Sequence, residues 1–207
     1  MAEGERKQVL IAGGGIGGLA AALACARQGV AVQLLERAAQ LSEVGAGIQI
    51  GPNVTRILQA WGLGPALAQV AAFPKRLQAR DAQTGQVLGT LRLGERAQTL
   101  YGAPYATIHR ADLHALLWDA AQAAGVHIAL GQTIAGWSES TEGVVAQSAS
   151  GQSWQADALV GADGVWSTVR QQLLADAPAR FTGHLACLLY TSPSPRDRSV
   201  SRMPSSA

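Results

Sequence analysis

Six residues near the start of the chain decide most of what it can fold into. Gly13-Gly14-Gly15-Ile16-Gly17-Gly18 follows a short apolar run, Gln8 to Ala12, and precedes the alanine-rich stretch Leu19 to Gln28. That order reads as strand, tight turn and helix. Gly29 is a natural helix stop, and Val30 to Leu35 is a second β-rich run that ends at Glu36. The result is a complete βαβ unit. Gly13, Gly15 and Gly18 stand at the offsets of G-x-G-x-x-G. In such a turn the first glycine permits the reversal, the second lets the backbone approach a diphosphate, and the third lets the helix pack against the strand. The start of the helix, where Ile16 and Gly17 lie, then offers N–H groups and a dipole that favour negative charge. Glu36 stands where it can accept from ribose hydroxyls, and its charge repels a 2′-phosphate. The turn is therefore expected to take FAD or NAD rather than NADP.

The same segment invites a different reading. Val9 to Ala26 carries no charge and ends in small residues, as a signal peptide or membrane anchor would. The cluster of glycines between Gly13 and Gly18 argues against both, because a targeting helix does not place its flexibility there. No integral membrane association is expected.

Two further constellations point to a ligand. In His109-Arg110-Ala111-Asp112-Leu113 an arginine opens a helix, where the dipole disfavours a cation. Arg110 could clamp diphosphate oxygens through paired hydrogen bonds, or it could be a plain surface arginine. In Gly161-Ala162-Asp163-Gly164 a strand runs into a turn ahead of Ser167 and Arg170. Asp163 could accept from a sugar hydroxyl while Gly164 allows close backbone approach, or the segment could be an ordinary turn.

The rest reads as scaffold. Gly45 to Asn53 is expected to be a loop, with Asn53 capping a helix from Val54 to Trp61 that stops at Gly62. Leu77 to Leu93 predicts a hairpin around Gln83-Thr84-Gly85. Asp112 to Ala124 predicts a helix with Leu113, Leu116 and Leu117 on one face, stopped by Gly125. Val126 to Leu130 and Ala158 to Ala162 read as strands. A hairpin is expected from Gly143 to Leu159 through Ser150-Gly151, and a helix from Ser167 to Leu174 capped by Ser167. His109, His114, His127 and His184 lack metal-ligand spacing. Cys25 reads as a core residue rather than a nucleophile. No catalytic base can be named.

The last stretch, 187–207, has a different origin in this reading. Cys187 to Asp197 and Ser201 to Ala207 back-translate into strings that resemble two sequencing-library adapters, in one frame and at the spacing of a sample index. The expectation is a non-native, adapter-derived tail, with native sequence ending near Ala186. Arg196, Arg198, Arg202 and Asp197 all lie in it, so the formal charge of +2 belongs to the tail and the remainder is neutral. A neutral remainder gives no basic signature for nucleic acid. With Cys187 also set aside, Cys25 stands alone, which fits a reducing compartment and a cytoplasmic location.

Taken together, the blocks resemble the single-component, class A flavoprotein aromatic hydroxylases. VLIAGGGIGGLAAALACARQGVAVQLLER resembles their FAD fingerprint, and IHRADLHALL and LVGADGVWSTVR resemble their arginine and Asp-Gly motifs. GAGIQIGPNVTRILQAWGL is similar to the segment after the fingerprint in the salicylate hydroxylase and 3-hydroxybenzoate 6-hydroxylase branch. The resemblance covers roughly residues 7–186. It implies an α/β fold: a Rossmann-like FAD/NAD(P)-binding domain with the beginning of a β-sheet substrate domain, truncated. The implied division is 1–76 for the FAD-binding βαβ part, 77–106 for a substrate-domain hairpin, 107–178 for the return to the FAD domain, and 179–186 for the entry into the substrate domain. It implies that Gly13, Gly15, Gly18, Glu36 and Arg37 touch the ADP half of FAD. It places Arg110 toward the flavin, Gly47, Ile48 and Gln49 near the isoalloxazine, and Asp163 and Gly164 on FAD and the nicotinamide path. The implied activity is hydroxylation of a small phenolic or aromatic-acid substrate with NAD(P)H and O2. Two family features are missing, a Gly-Asp-Ala motif and a Pro-x-Gly loop. Alternatives are another FAD oxidoreductase of the same fold, or a fragment that binds FAD weakly and catalyses nothing.

Overall fold

The structure is a computed structural model. It describes residues 7–40, 46–175, 177 and 179–184, so the stretch 187–207 lies outside the described residues. In chain order the elements begin with β1 (Gln8–Ala12), α1 (Ile16–Arg27), β2 (Ala31–Leu35), β3 (Gly47–Ile50), α2 (Pro52–Ala60) and α3 (Gly64–Val70). Next come β4 (Ala71–Ala72), β5 (Arg76–Arg80), β6 (Val87–Arg92), α4 (Gly94–Tyr101), β7 (Ala106–His109) and α5 (Arg110–Ala123). The last are β8 (His127–Ala129), β9 (Ile134–Ser140), β10 (Gly143–Ser148), β11 (Ser153–Ala156), β12 (Ala158–Gly161) and α6 (Thr168–Leu174).

The chain divides into two compact units. Among the described residues, one draws on 7–40, 65–67, 111–175, 177, 179 and 180, the other on 46–64, 68–110 and 181–184.

The first unit is built on a parallel sheet in the order β12-β1-β2-β8. β1 pairs with β2 on one side, Leu10 opposite Gln33, and with β12 on the other, Leu10 opposite Leu159. A central strand flanked on both edges is buried along most of its length, and Leu10, Ile11 and Ala12 are at most 1% exposed. An antiparallel meander β11-β10-β9 belongs to the same unit. Leu10, Ala12 and Leu35 pack in one cluster with Ile134, Val144, Ala146, Ala156 and Val169.

The second unit holds a three-stranded antiparallel sheet, β3-β7-β4, and a separate β5-β6 hairpin. Along β7, Ala106 and Ile108 are buried while Thr107 and His109 are half-buried, the alternation of a sheet with one dry face. Thr55, on α2, is fully buried and donates its hydroxyl to the Pro104 carbonyl at 2.6 Å.

Several expectations need correcting. The glycine-rich stretch before Asn53 is a strand, β3, whose pairing with β7 overrides its weak local preference. The helix after it is capped by Gly51 rather than Asn53, with Pro52 at its first position, where proline's missing N–H costs nothing. The hairpin through Gly151 gains a third strand, β9, and α3, β4 and α4 are elements beyond those expected. Ser167 caps α6 as expected, its hydroxyl accepting from the Arg170 N–H at 2.9 Å. Among the described residues no helix is long and apolar enough to cross a membrane.

Candidate functional site

The glycine turn joins β1 to α1. Gly13 has φ +106°, and its N–H donates to the Leu35 carbonyl at 2.8 Å. A Cβ on Gly13 would lie 2.3 Å from the Ala162 carbonyl oxygen, and one on Gly18 would lie 1.8 Å from the Gly13 carbonyl oxygen. Neither position admits a side chain. Gly15 is the opposite case, since a Cβ there meets nothing within 4 Å. Gly15 is also the N-cap of α1, and no side chain caps it. The first-turn N–H groups of Ile16, Gly17 and Gly18 have no partner within the helix. The turn is closed toward the protein and open on its other side.

Glu36 follows β2 and reaches back to the turn. Its Oε2 accepts from the Gly14 N–H at 2.6 Å and its Oε1 from the Ala38 N–H at 2.8 Å. A carboxylate oxygen has two acceptor sites, so each still has one for a ribose hydroxyl. Arg37 beside it is exposed. One residue of this site left no usable signal in the sequence. His114, on α5, is buried, and its Nε2 lies 2.7 Å from the Gly14 carbonyl oxygen. A carbonyl only accepts, so Nε2 carries the proton. The ring stacks on Trp118 with centroids 6.4 Å apart.

The Asp-Gly motif arrives at the same place. β12 runs beside β1, and the Ala162 N–H donates to the Ala12 carbonyl at 2.7 Å. A Cβ on Gly13 would be 2.9 Å from the Asp163 nitrogen, so the two motifs abut. The Asp163 carboxylate, however, is engaged with its own helix. Oδ2 accepts from Thr168 N at 2.8 Å and Val169 N at 3.2 Å, and Oδ1 accepts from the Ser167 hydroxyl. In this geometry Asp163 works first as a helix cap. Gly164 beside it is exposed.

The remaining candidates lie in the second unit. Gly47 pairs with His109 and Gln49 with Thr107 across β3 and β7. The Arg110 N–H donates to the Ala46 carbonyl at 3.1 Å, so Arg110 and Gly47 begin neighbouring stretches of backbone. Strand alternation puts Gly47 and Gln49, both exposed, on one face and the half-buried Ile48 on the other. The Tyr105 hydroxyl donates to Gln49 Oε1 at 2.5 Å. Like the His114 contact, this bond joins residues far apart in sequence and was not foreseen.

Residues 6–192 match the FAD binding domain family. The chain belongs to that family. Its sequence is 41% identical over 179 residues to 3-hydroxybenzoate 6-hydroxylase of Klebsiella oxytoca, a match covering 86% of the chain and 45% of the relative. It is 44% identical over 178 residues to the enzyme of the same name from Polaromonas naphthalenivorans, covering 86% and 44%. Among solved structures it is similar to Klebsiella pneumoniae HpxO complexed with FAD and uric acid. That match has a TM-score of 0.74 and 26% identity, covering 84% of this chain and 43% of the other. The chain thus spans less than half the length of these relatives. The expected α/β, FAD-binding fold is met. The open position at Gly15 and the spare acceptor sites on Glu36 fit the diphosphate and ribose of FAD.

Proposed function

We propose that the protein is the N-terminal part of an FAD-dependent monooxygenase that hydroxylates a small phenolic or aromatic-acid ring with NAD(P)H and O2. The observation that carries this is the glycine turn with Glu36 already hydrogen-bonded into it. In this reading Gly13 and Gly18 shape the turn, and Gly15, Ile16 and Gly17 present N–H groups to the diphosphate. Glu36 holds the ribose, and Arg37 lies at the adenosine end. Gly47, Ile48 and Gln49 border the isoalloxazine, Arg110 reaches toward the flavin, and Asp163 and Gly164 serve FAD and the nicotinamide path. When bound, FAD would supply the redox chemistry, in which NAD(P)H gives two electrons, one atom of O2 enters the ring and the other leaves as water. The residues of this chain bind, orient and exclude water from that chemistry. The proposed location is the cytoplasm, and the proposed division places substrate-domain sequence at 77–106 and 179–186, with 187–207 a non-native tail.

The relatives named hydroxylases favour this activity over another FAD oxidoreductase. For the chain in isolation, a weakly binding and inactive form is favoured by its exposed apolar side chains, including Leu88 at 68% and Phe181 at 75%. The experiment is expression of residues 1–186 and of a version extended to the length of the relatives. The extended protein should be yellow and oxidise NAD(P)H in response to hydroxybenzoates. The short one should retain little flavin. Stoichiometric flavin in a soluble short product would overturn the second statement, and a colourless extended protein the first.

A further inference from the structure

His114 is the residue the proposed site does not yet use. It sits in the first turns of α5, is 6% exposed, and donates from Nε2 to the carbonyl oxygen of Gly14. That carbonyl belongs to the peptide that links Gly14 to Gly15. The described chain contains no cis peptide bond, and a trans peptide is planar with its C=O and N–H antiparallel. Drawing the carbonyl toward the buried imidazole therefore turns the Gly15 N–H the other way. A Cβ at Gly15 meets no atom within 4 Å, so this residue borders open space.

The flanking peptide is fixed as well. The Gly14 N–H, which belongs to the Gly13–Gly14 link, donates to Glu36 Oε2 at 2.6 Å. Gly14 is thus held at its nitrogen by an acid and at its carbonyl by an imidazole, with no side chain of its own to resist rotation. Glycine without such restraints samples a wide range of backbone angles. A hydrogen bond to the carbonyl also polarises the peptide and strengthens its N–H as a donor.

We propose that His114 is a positioning residue for anion binding: as the Nε2–H tautomer it locks the Gly14–Gly15 peptide so that the Gly15 N–H faces the diphosphate of the nucleotide. This rests on reading the glycine turn as the FAD diphosphate site. It adds to that reading a side chain outside the glycine motif that orients one of the motif's donors. Trp118, stacked on the ring, fixes the plane in which the imidazole donates.

The test uses the flavin-free form of the protein extended to the length of the relatives, labelled with nitrogen-15 and titrated with ADP. Wild-type chain should show the Gly15 amide resonance moving with ADP. His114→Phe keeps a ring beside Trp118 and removes the donor; ADP affinity should fall at least about tenfold with the amide spectrum otherwise folded. His114→Gln restores an N–H donor and should recover most of the affinity. Unchanged ADP affinity in a folded His114→Phe overturns the proposal and leaves the diphosphate site standing. No ADP response in wild type overturns both. Independently of any variant, the ring nitrogen shifts of wild-type His114 report the tautomer. Protonation at Nδ1 alone overturns the proposal, because Nε2 would then be an acceptor facing a carbonyl.

Discussion

Gly18 lies beneath Gly13 so closely that a methyl group on it would stand 1.8 Å from the Gly13 carbonyl oxygen. The obstacle is backbone, which cannot swing aside as a side chain can. Gly18→Ala should therefore push α1 off the end of β1 and cost about 3 kcal/mol, the upper range for overpacking. Gly17→Ala is the matched control, because its Cβ meets nothing within 4 Å. Alanine is favoured over glycine by about 1 kcal/mol in a helix interior, and by less in the first turn where Gly17 lies. Urea denaturation of both variants should give shifts of opposite sign.

Asp163 and Ser167 cap α6 together, the acid accepting from Thr168 and Val169 and the serine from Arg170. Asp163→Ala should lose about 1–2 kcal/mol, as removal of a helix cap does. If the acid also touches FAD, nucleotide affinity will fall by more than the stability loss explains. Comparing ADP titrations of Asp163→Ala and Ser167→Ala separates the two effects.

Asp157 ties the start of β1 to the end of the meander. Its carboxylate accepts from the Gln8 N–H at 2.7 Å and pairs with Lys7 Nζ at 3.1 Å. The backbone N–H of Gln8, followed by Lys7, holds its pKa below the ordinary carboxylate value. A depressed folded pKa means stability that is present above the unfolded value of about 3.9 and is lost as pH falls through the folded one. Asp157→Asn should flatten the acid limb of a stability-versus-pH curve below about pH 4. The Lys7 side chain is 78% exposed and that of Asp157 44%, so the effect should be small and shrink further in added salt.

Tyr105 fixes which end of the Gln49 amide faces outward. With Oε1 accepting from the phenol, the Nε2 donors are left for a ligand on that sheet face. Tyr105→Phe should cost about 0.5–1.5 kcal/mol of stability. In a flavin-loaded, full-length protein it should also shift the visible flavin bands, and no shift would place Gln49 away from the isoalloxazine.

What the sequence made legible was local. The βαβ unit could be read because Gly13, Gly15 and Gly18 are spaced by the demands of a turn, and Glu36 because it ends the next strand. Ser167 was readable because a cap is a contact between near neighbours. β3 was misread because a strand of Gly47-Ile48-Gln49-Ile50 owes its form to β7, about 60 residues later. For His114, sequence spacing speaks only to metal ligation. Its partner is a backbone carbonyl 100 positions earlier, and no side-chain pattern encodes that. Asp163 looked like a ligand contact because a turn before a helix gives no sign of whether its acid points outward or back onto the helix.

The order β12-β1-β2-β8 also bears on how this polypeptide comes off the ribosome. β1 is made well before β12, yet Gln8 bonds to Asp157, a partner 149 positions downstream. At about 5–20 residues per second, the strand waits roughly 7–30 s for its second neighbour. Through that interval the apolar side chains of Leu10 and Ile11 have only one flank covered. The nascent βαβ unit thus exposes apolar surface during synthesis, and slowing translation between codons 36 and 158 would lengthen that exposure.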